Sequence, residues 1–136
     1  MFASIMSVML GLLFHGNPSY TYTLPTYEVP LASVSVPTQC QGHTYTHAFS
    51  APADSLVTGT SGPDIIYAGQ DSIIHGGAGN DCIVITTLTS AYGDDGNDIL
   101  VSQADDNYLD GGNGIDTAYY FKATDATKHI ENLVAQ

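Results

Sequence analysis

Four nine-residue segments of this chain place aspartate and glycine at fixed intervals, a combination suited to holding a hard metal ion. They start at Gly59, Gly76, Gly93 and Gly111 and end at Tyr67, Val84, Val101 and Tyr119. Their shared form is G-G-x-G-x-D-x-U-x, where U is a large apolar residue or its equivalent: Ile66, Ile83, Leu100 and Ala118. Aspartate supplies carboxylate oxygens. Glycine lets the backbone reach φ > 0 without a Cβ clash, so a loop can curl its carbonyls around an ion. Ca²⁺ takes 6–8 such oxygen ligands. One copy of the motif would be weak. Four copies, spaced 17, 17 and 18 residues apart, are specific.

The spacing is close to twice nine, and a weaker copy fills each gap. Leu56-Val57-Thr58, Ile73-Ile74-His75, Ser90-Ala91-Tyr92 and Tyr108-Leu109-Asp110 precede the four strong segments. One coil is therefore two short strands and two loops, with every strong loop on the same edge. On the opposite edge the loops have mostly lost their glycines. Side chains alternate along a strand and stacked strands lie about 4.7–4.9 Å apart. The U residues then point into the coil, and each strong loop lies beside the next. Four loops leave three gaps, each wide enough for an ion: 59–64 with 76–81, 76–81 with 93–98, and 93–98 with 111–116.

From about Leu56 to Tyr119 the chain resembles the RTX (repeats-in-toxin) family, the haemolysin-type calcium-binding nonapeptide repeat. The tail Ile130-Glu131-Asn132-Leu133 is also similar to that family. The resemblance implies an all-β fold: a parallel β-roll, or right-handed two-sheet β-helix, of about four coils with N- and C-terminal arms. It implies Ca²⁺ as the cofactor, about three ions between successive strong loops. The implied metal-binding residues are Gly59, Ser61, Gly62 and Asp64; Gly76, Ala78, Gly79 and Asp81; Gly93, Asp95, Gly96 and Asp98; and Gly111, Asn113, Gly114 and Asp116. Two residues depart from the pattern. Thr60 and Asp94 stand where the second glycine belongs. Thr60 is bulkier, whereas Asp94 tolerates the left-handed region and is a possible extra ligand.

Charge agrees with this reading. The chain has 14 acidic and two basic residues and a formal net charge of −12. Ten of its 12 aspartates lie between Asp64 and Asp116. Such a surface is a poor partner for nucleic acid, where affinity comes from Lys and Arg neutralising phosphates, and for anionic membranes. Three calcium ions would halve the formal charge to −6, so metal binding should form part of the folding free energy. The expected roll core is thin: Val57, Ile66, Ile74, Ile83, Ala91, Leu100, Leu109 and Ala118.

Residues 1–16 contain an apolar run that resembles a signal-peptide h-region, without the positive n-region or a clean cleavage site. Residues 17–39, with most of the prolines, read as a linker. The calcium-binding roll with its N-terminal cap is expected over 40–119 and a C-terminal capping segment over 120–136. Cys40 and Cys82 are the only cysteines. In an exported protein they would pair; the alternative is two free thiols. The outward positions of the strong-edge sheet are Ile65, Tyr67, Cys82, Val84, Ile99, Val101, Thr117 and Tyr119. They are unusually apolar for a wet surface, which calls for a cover from Cys40–Phe49 or from Tyr120–Val134, or else for a protein partner. His43 and His47 lack further zinc ligands, and no nucleophile elbow is present. The expected function is that of a secreted, extracellular, non-catalytic calcium-binding module. The alternatives are a C-terminal appendage aiding secretion or folding of an RTX hydrolase, and an adhesive or surface-layer element.

Overall fold

The computed structural model describes residues 27–136. Twelve short strands follow one another: β1 Glu28–Val29, β2 His47–Ala51, β3 Leu56–Thr58, β4 Asp64–Ala68, β5 Ile73–Ala78 and β6 Cys82–Ile85, then β7 Ser90–Asp95, β8 Ile99–Ser102, β9 Tyr108–Asn113, β10 Thr117–Tyr120, β11 Ala126–Lys128 and β12 Asn132–Ala135. From β2 onward they alternate between two sheets. One has the order β1-β2-β4-β6-β8-β10-β12 and the other β11-β9-β7-β5-β3. Every pairing is parallel except that of β1 with β2. This is a two-sheet parallel β-roll of about five coils.

Register puts like residues over like. Phe49, Ile66, Ile83, Leu100, Ala118 and Leu133 form one inward file. Val57, Ile74, Ala91 and Leu109 form the file facing it. All eight expected core residues are buried in this single cluster. The roll exceeds the recognisable repeats at both ends. β2 adds a coil before them, and β11 and β12, within the expected capping segment, continue both sheets after them. The last core position, Leu133, is 50% exposed because no strand follows it in the sheet.

The strong-edge sheet buries its outer face as well. Ile65, Cys82, Val84 and Val101 lie under Cys40, Tyr45, Val29, Val34 and Val36. Cys40 and Cys82 form a disulfide with S–S 2.03 Å and Cα–Cα 6.1 Å. The Tyr45 hydroxyl donates to the Cys40 carbonyl at 2.9 Å, and the Tyr67 hydroxyl donates to the Ser35 carbonyl. The cover therefore comes largely from residues 29–45, part of which had the composition of a linker. Its prolines lead into two short 3-10 turns, Leu31–Ser33 and Thr38–Cys40. Proline's fixed φ suits such positions, and Val34 and Val36, two apart, face the sheet together. The tail does not cover this face; it lengthens the sheet. The apolar segment 1–16 lies outside the described residues, as do residues 17–26 of the expected linker.

Candidate metal centre

The four strong loops connect the five-stranded sheet to the seven-stranded one. Each ends at its aspartate, where the chain turns into β4, β6, β8 or β10. These carboxylates lie in one file and are almost wholly enclosed: Asp64 and Asp116 are 0% exposed, Asp81 and Asp98 1%. The Oδ1 of the last three accepts the backbone N–H of the aspartate one coil earlier. Asp81 takes that of Asp64, Asp98 that of Asp81, and Asp116 that of Asp98, all at 2.8 Å. One oxygen of each of these three carboxylates thus binds the coils together.

The other oxygen behaves differently along the file. The Oδ2 atoms of Asp81, Asp98 and Asp116 are buried with no hydrogen-bond partner. An ionised carboxylate is acceptor-only, and leaving it buried and unpaired is costly. Burial first, and then the neighbouring carboxylates, push the Asp81 carboxyl up to about 7 and that of Asp98 up to about 8. Asp116 is raised by burial and by Glu131 and Asp110. Among the described residues the one lysine in an ion pair, Lys128, pairs with Asp110 and not with these oxygens. A divalent cation would answer this charge.

The backbone around these oxygens suits such an ion. A Cβ on Gly76 would lie 2.5 Å from Asp81 Oδ2 and 2.6 Å from the Gly93 carbonyl oxygen. A Cβ on Gly93 would collide with Asp98 Oδ2 and the Gly111 carbonyl. Glycine here keeps open a cradle in which a carboxylate oxygen meets the next coil's carbonyl. Gly79, Gly96 and Gly114 have φ of 120°, 142° and 144° and stack so closely that a Cβ would strike the loop before: Gly62 under Gly79, Gly79 under Gly96, Gly96 under Gly114. Among the described residues no three His, Cys, Asp or Glu side chains form a metal cluster. A site in such a cradle would offer carboxylate and backbone carbonyl oxygens, the hard donors that calcium takes.

The first loop differs. Thr60 donates its N–H to Asp64 Oδ2 and its hydroxyl to Asp64 Oδ1 at 3.0 Å, and His47 Nδ1 lies 3.4 Å from that oxygen. The departure from glycine adds the hydroxyl donor, and in this loop the backbone N–H also meets Oδ2. Asp94, the second departure, has φ 71°; its carboxylate meets His75 Nδ1 at 3.0 Å and the Gly77 N–H at 3.3 Å, and its charge adds to the rise of Asp81 and Asp98. Ser61, Ala78, Asp95 and Asn113 share one loop position. The Asp95 and Asn113 carbonyls accept the N–H groups of Gly79 and Gly96 at 2.9 Å, and Asn113 Nδ2 donates to Asp95 Oδ1 at 2.8 Å. They fasten loop to loop.

The family model of the RTX calcium-binding nonapeptide repeat matches residues 58–84 and 90–118 in four copies. The array belongs to the RTX calcium-binding repeats. No curated protein and no solved structure shows significant similarity to the chain. Within an RTX array the Asp-file cradles are where Ca²⁺ would be held. When bound, the ion would supply the positive charge that the buried oxygens lack.

Two features of the site were not evident from the motif. An asparagine file runs beside the aspartates: Asn97 N–H donates to Asn80 Oδ1 and Ile115 N–H to Asn97 Oδ1, both at 2.9 Å. The recurring Asn-Asp pair at 80–81 and 97–98 was its signal. The second is Glu131, whose Oε2 accepts the Asp116 N–H at 2.8 Å and so extends the aspartate file by one coil.

Proposed function

We propose that this chain is a calcium-dependent, non-catalytic folding module that works outside the cell. The observation that carries the reading is the file of three buried carboxylate oxygens without partners, each facing a carbonyl cradle. Without a cation those charges repel one another inside the roll. With Ca²⁺ they become ligands, and ion binding adds to folding stability. The sites have the character of extracellular modules, with affinities on the order of 10⁻⁴–10⁻³ M. Such sites stay empty where calcium is scarce and fill where it is abundant. The disulfide supports the same location, since disulfides persist in oxidising compartments.

The test is circular dichroism of the full chain in EDTA and then in millimolar Ca²⁺. The β-signal should be weak in EDTA and restored by Ca²⁺, with Mg²⁺ a poor substitute because it demands near-octahedral geometry. An equally strong β-signal in EDTA would sink the proposal. A role as an appendage that aids secretion or folding of an RTX hydrolase uses the same calcium switch. It is distinguished by finding a catalytic reading frame joined to this one. The adhesive reading loses its motive, because the apolar face behind it lies under residues 29–45.

A further inference from the structure

We propose that a further calcium site lies beyond the repeats, between the loop 111–116 and the short turn His129–Glu131. The proposal rests on the calcium reading above and extends it to residues that the repeat pattern does not include.

The cradle recurs there with different residues. A Cβ on Gly111 would collide with Asp116 Oδ2 and with the His129 carbonyl oxygen. This repeats the arrangement at Gly76 and Gly93, with His129 in the place of the next loop's glycine. Asp116 is fully enclosed, and its Oδ2 is one of the three oxygens without a partner. That oxygen faces the coil after the last repeat. The first gap, by contrast, has its carboxylate supplied by both Thr60 donors. Unmet negative charge is thus displaced one coil toward the C-terminus. The gaps 76–81 with 93–98, 93–98 with 111–116, and 111–116 with 129–131 carry it, and the gap 59–64 with 76–81 does so least.

The turn is shaped for this role. Only Ile130 separates His129 from Glu131, whereas four residues separate Gly111 from Asp116. Glutamate's extra methylene lets a carboxylate on this shorter turn still reach the Asp116 N–H, where its Oε2 stands 2.8 Å away. Glu131 is exposed, so its other oxygen is open to solvent and accessible to an ion. His129 takes a left-handed φ of 47°, and its ring is held outward by Asp110 Oδ1 at 2.7 Å, so its carbonyl faces the gap. The ligands would be Asp116, Glu131 and the His129 carbonyl.

Native mass spectrometry of the full chain would count ions at saturating calcium, and amide exchange would report on β12. Glu131→Gln keeps an oxygen for the Asp116 N–H and removes the charge. It should lose one ion relative to wild type, and calcium should no longer protect Asn132–Ala135 while still protecting Ile99–Val101. Asp81→Asn, a control within the repeats, should lose an ion without abolishing calcium protection of β12. If Glu131→Gln binds as many ions with an unchanged midpoint and calcium still protects β12, the further site is refuted and the repeat sites stand. If wild type binds no calcium at all, the module reading itself fails.

Discussion

The two edges of the roll solve one problem with opposite chemistry. On each edge a file of mostly buried side chains runs across the coils, and three members of each file accept a backbone N–H from the coil before. On the strong edge the file is Asp64, Asp81, Asp98 and Asp116. On the weak edge it is Ser55, Ser72, Thr89, Asn107 and Asp125, and three of its bonds match the aspartate pattern: Ser55 N–H to Ser72 Oγ at 3.1 Å, Thr89 N–H to Asn107 Oδ1 at 2.8 Å, and Asn107 N–H to Asp125 Oδ1 at 3.0 Å. The difference is what else these side chains can do. Serine, threonine and asparagine also donate. Ser72 Oγ donates to the Gln70 carbonyl at 3.3 Å, Thr89 Oγ1 to that of Thr87 at 3.2 Å, and Asn107 Nδ2 to that of Ala104 at 2.8 Å. The weak edge satisfies its loop carbonyls from within. Its one aspartate, Asp125, has both oxygens met by the Asn107 and Phe121 N–H groups. The Oδ2 atoms of Asp81, Asp98 and Asp116, by contrast, have no donor, and on the proposed reading a cation from outside supplies what they lack. One fold thus has a permanently closed edge and a conditional one.

Changing the chemistry at one position of the strong edge should have the largest effect. Asp98→Asn keeps an acceptor for the Asp81 N–H and adds the donor that Asn107 uses across the roll. It should make the calcium-free protein more ordered than wild type, because a buried unpaired charge is gone. In calcium it should do the reverse and weaken binding by about 10–100-fold or more, the range seen when even outer partners of metal ligands are lost. Circular dichroism across a calcium titration reads both arms. If Asp98→Asn is less ordered than wild type in EDTA as well, cation need is not what separates the edges.

Protons should act on the strong edge in the same sense but less fully. In the metal-free folded state Asp81 and Asp98 are raised to about 7 and about 8, from 3.8 in an ordinary setting. Between about pH 4 and pH 8 the folded state then holds protons that the unfolded chain has released. Metal-free stability should therefore fall as pH rises through that window. In EDTA the β-signal should be stronger at pH 5 than at pH 8. In saturating calcium this loss should vanish, because the ion replaces the proton on those oxygens. An EDTA signal that grows with pH would overturn the assignment of cost to these carboxylates.

How much of this the sequence reveals follows from how each feature is spelled. The inward files and the aspartate file use one residue class per coil, so a period of 17 or 18 exposes them. All eight expected core residues are buried for that reason. The weak-edge file keeps the same period but is spelled Ser, Ser, Thr, Asn, Asp. Its shared property is hydrogen-bonding capacity rather than residue identity, and loss of glycine reads as decay of the motif. The flanking coils are hidden likewise. His47 opposite Asp64 and Glu131 after Asp116 hold file positions with other residues. The cover was half legible: the apolar outer face and Cys82 required one, but polar Ser and Thr beside Val34 and Val36 made its own strip look like linker.

The smallest effects should come from the weak edge, and they should be indifferent to calcium. Asn107 is buried and ties together the Thr89 N–H, the Ser102 hydroxyl and the Ala104 carbonyl. Asn107→Ala strands these groups, which costs about 1–3 kcal/mol by the usual penalty for buried unpaired polar atoms. Melting at saturating calcium should show that loss, while the number of bound ions stays that of wild type. Asp105 sits in the same loop but is exposed and lends only its backbone carbonyl, to the Thr87 hydroxyl at 2.7 Å. Asp105→Asn should change stability by no more than about 0.5 kcal/mol and bind as many ions. Asp71→Asn should behave alike; asparagine rather than alanine is the proper probe there, because φ is 56° and asparagine tolerates that region. Should either exposed aspartate remove an ion, the weak edge would hold calcium too. The contrast would then be one of affinity between two metal edges, not of metal against none.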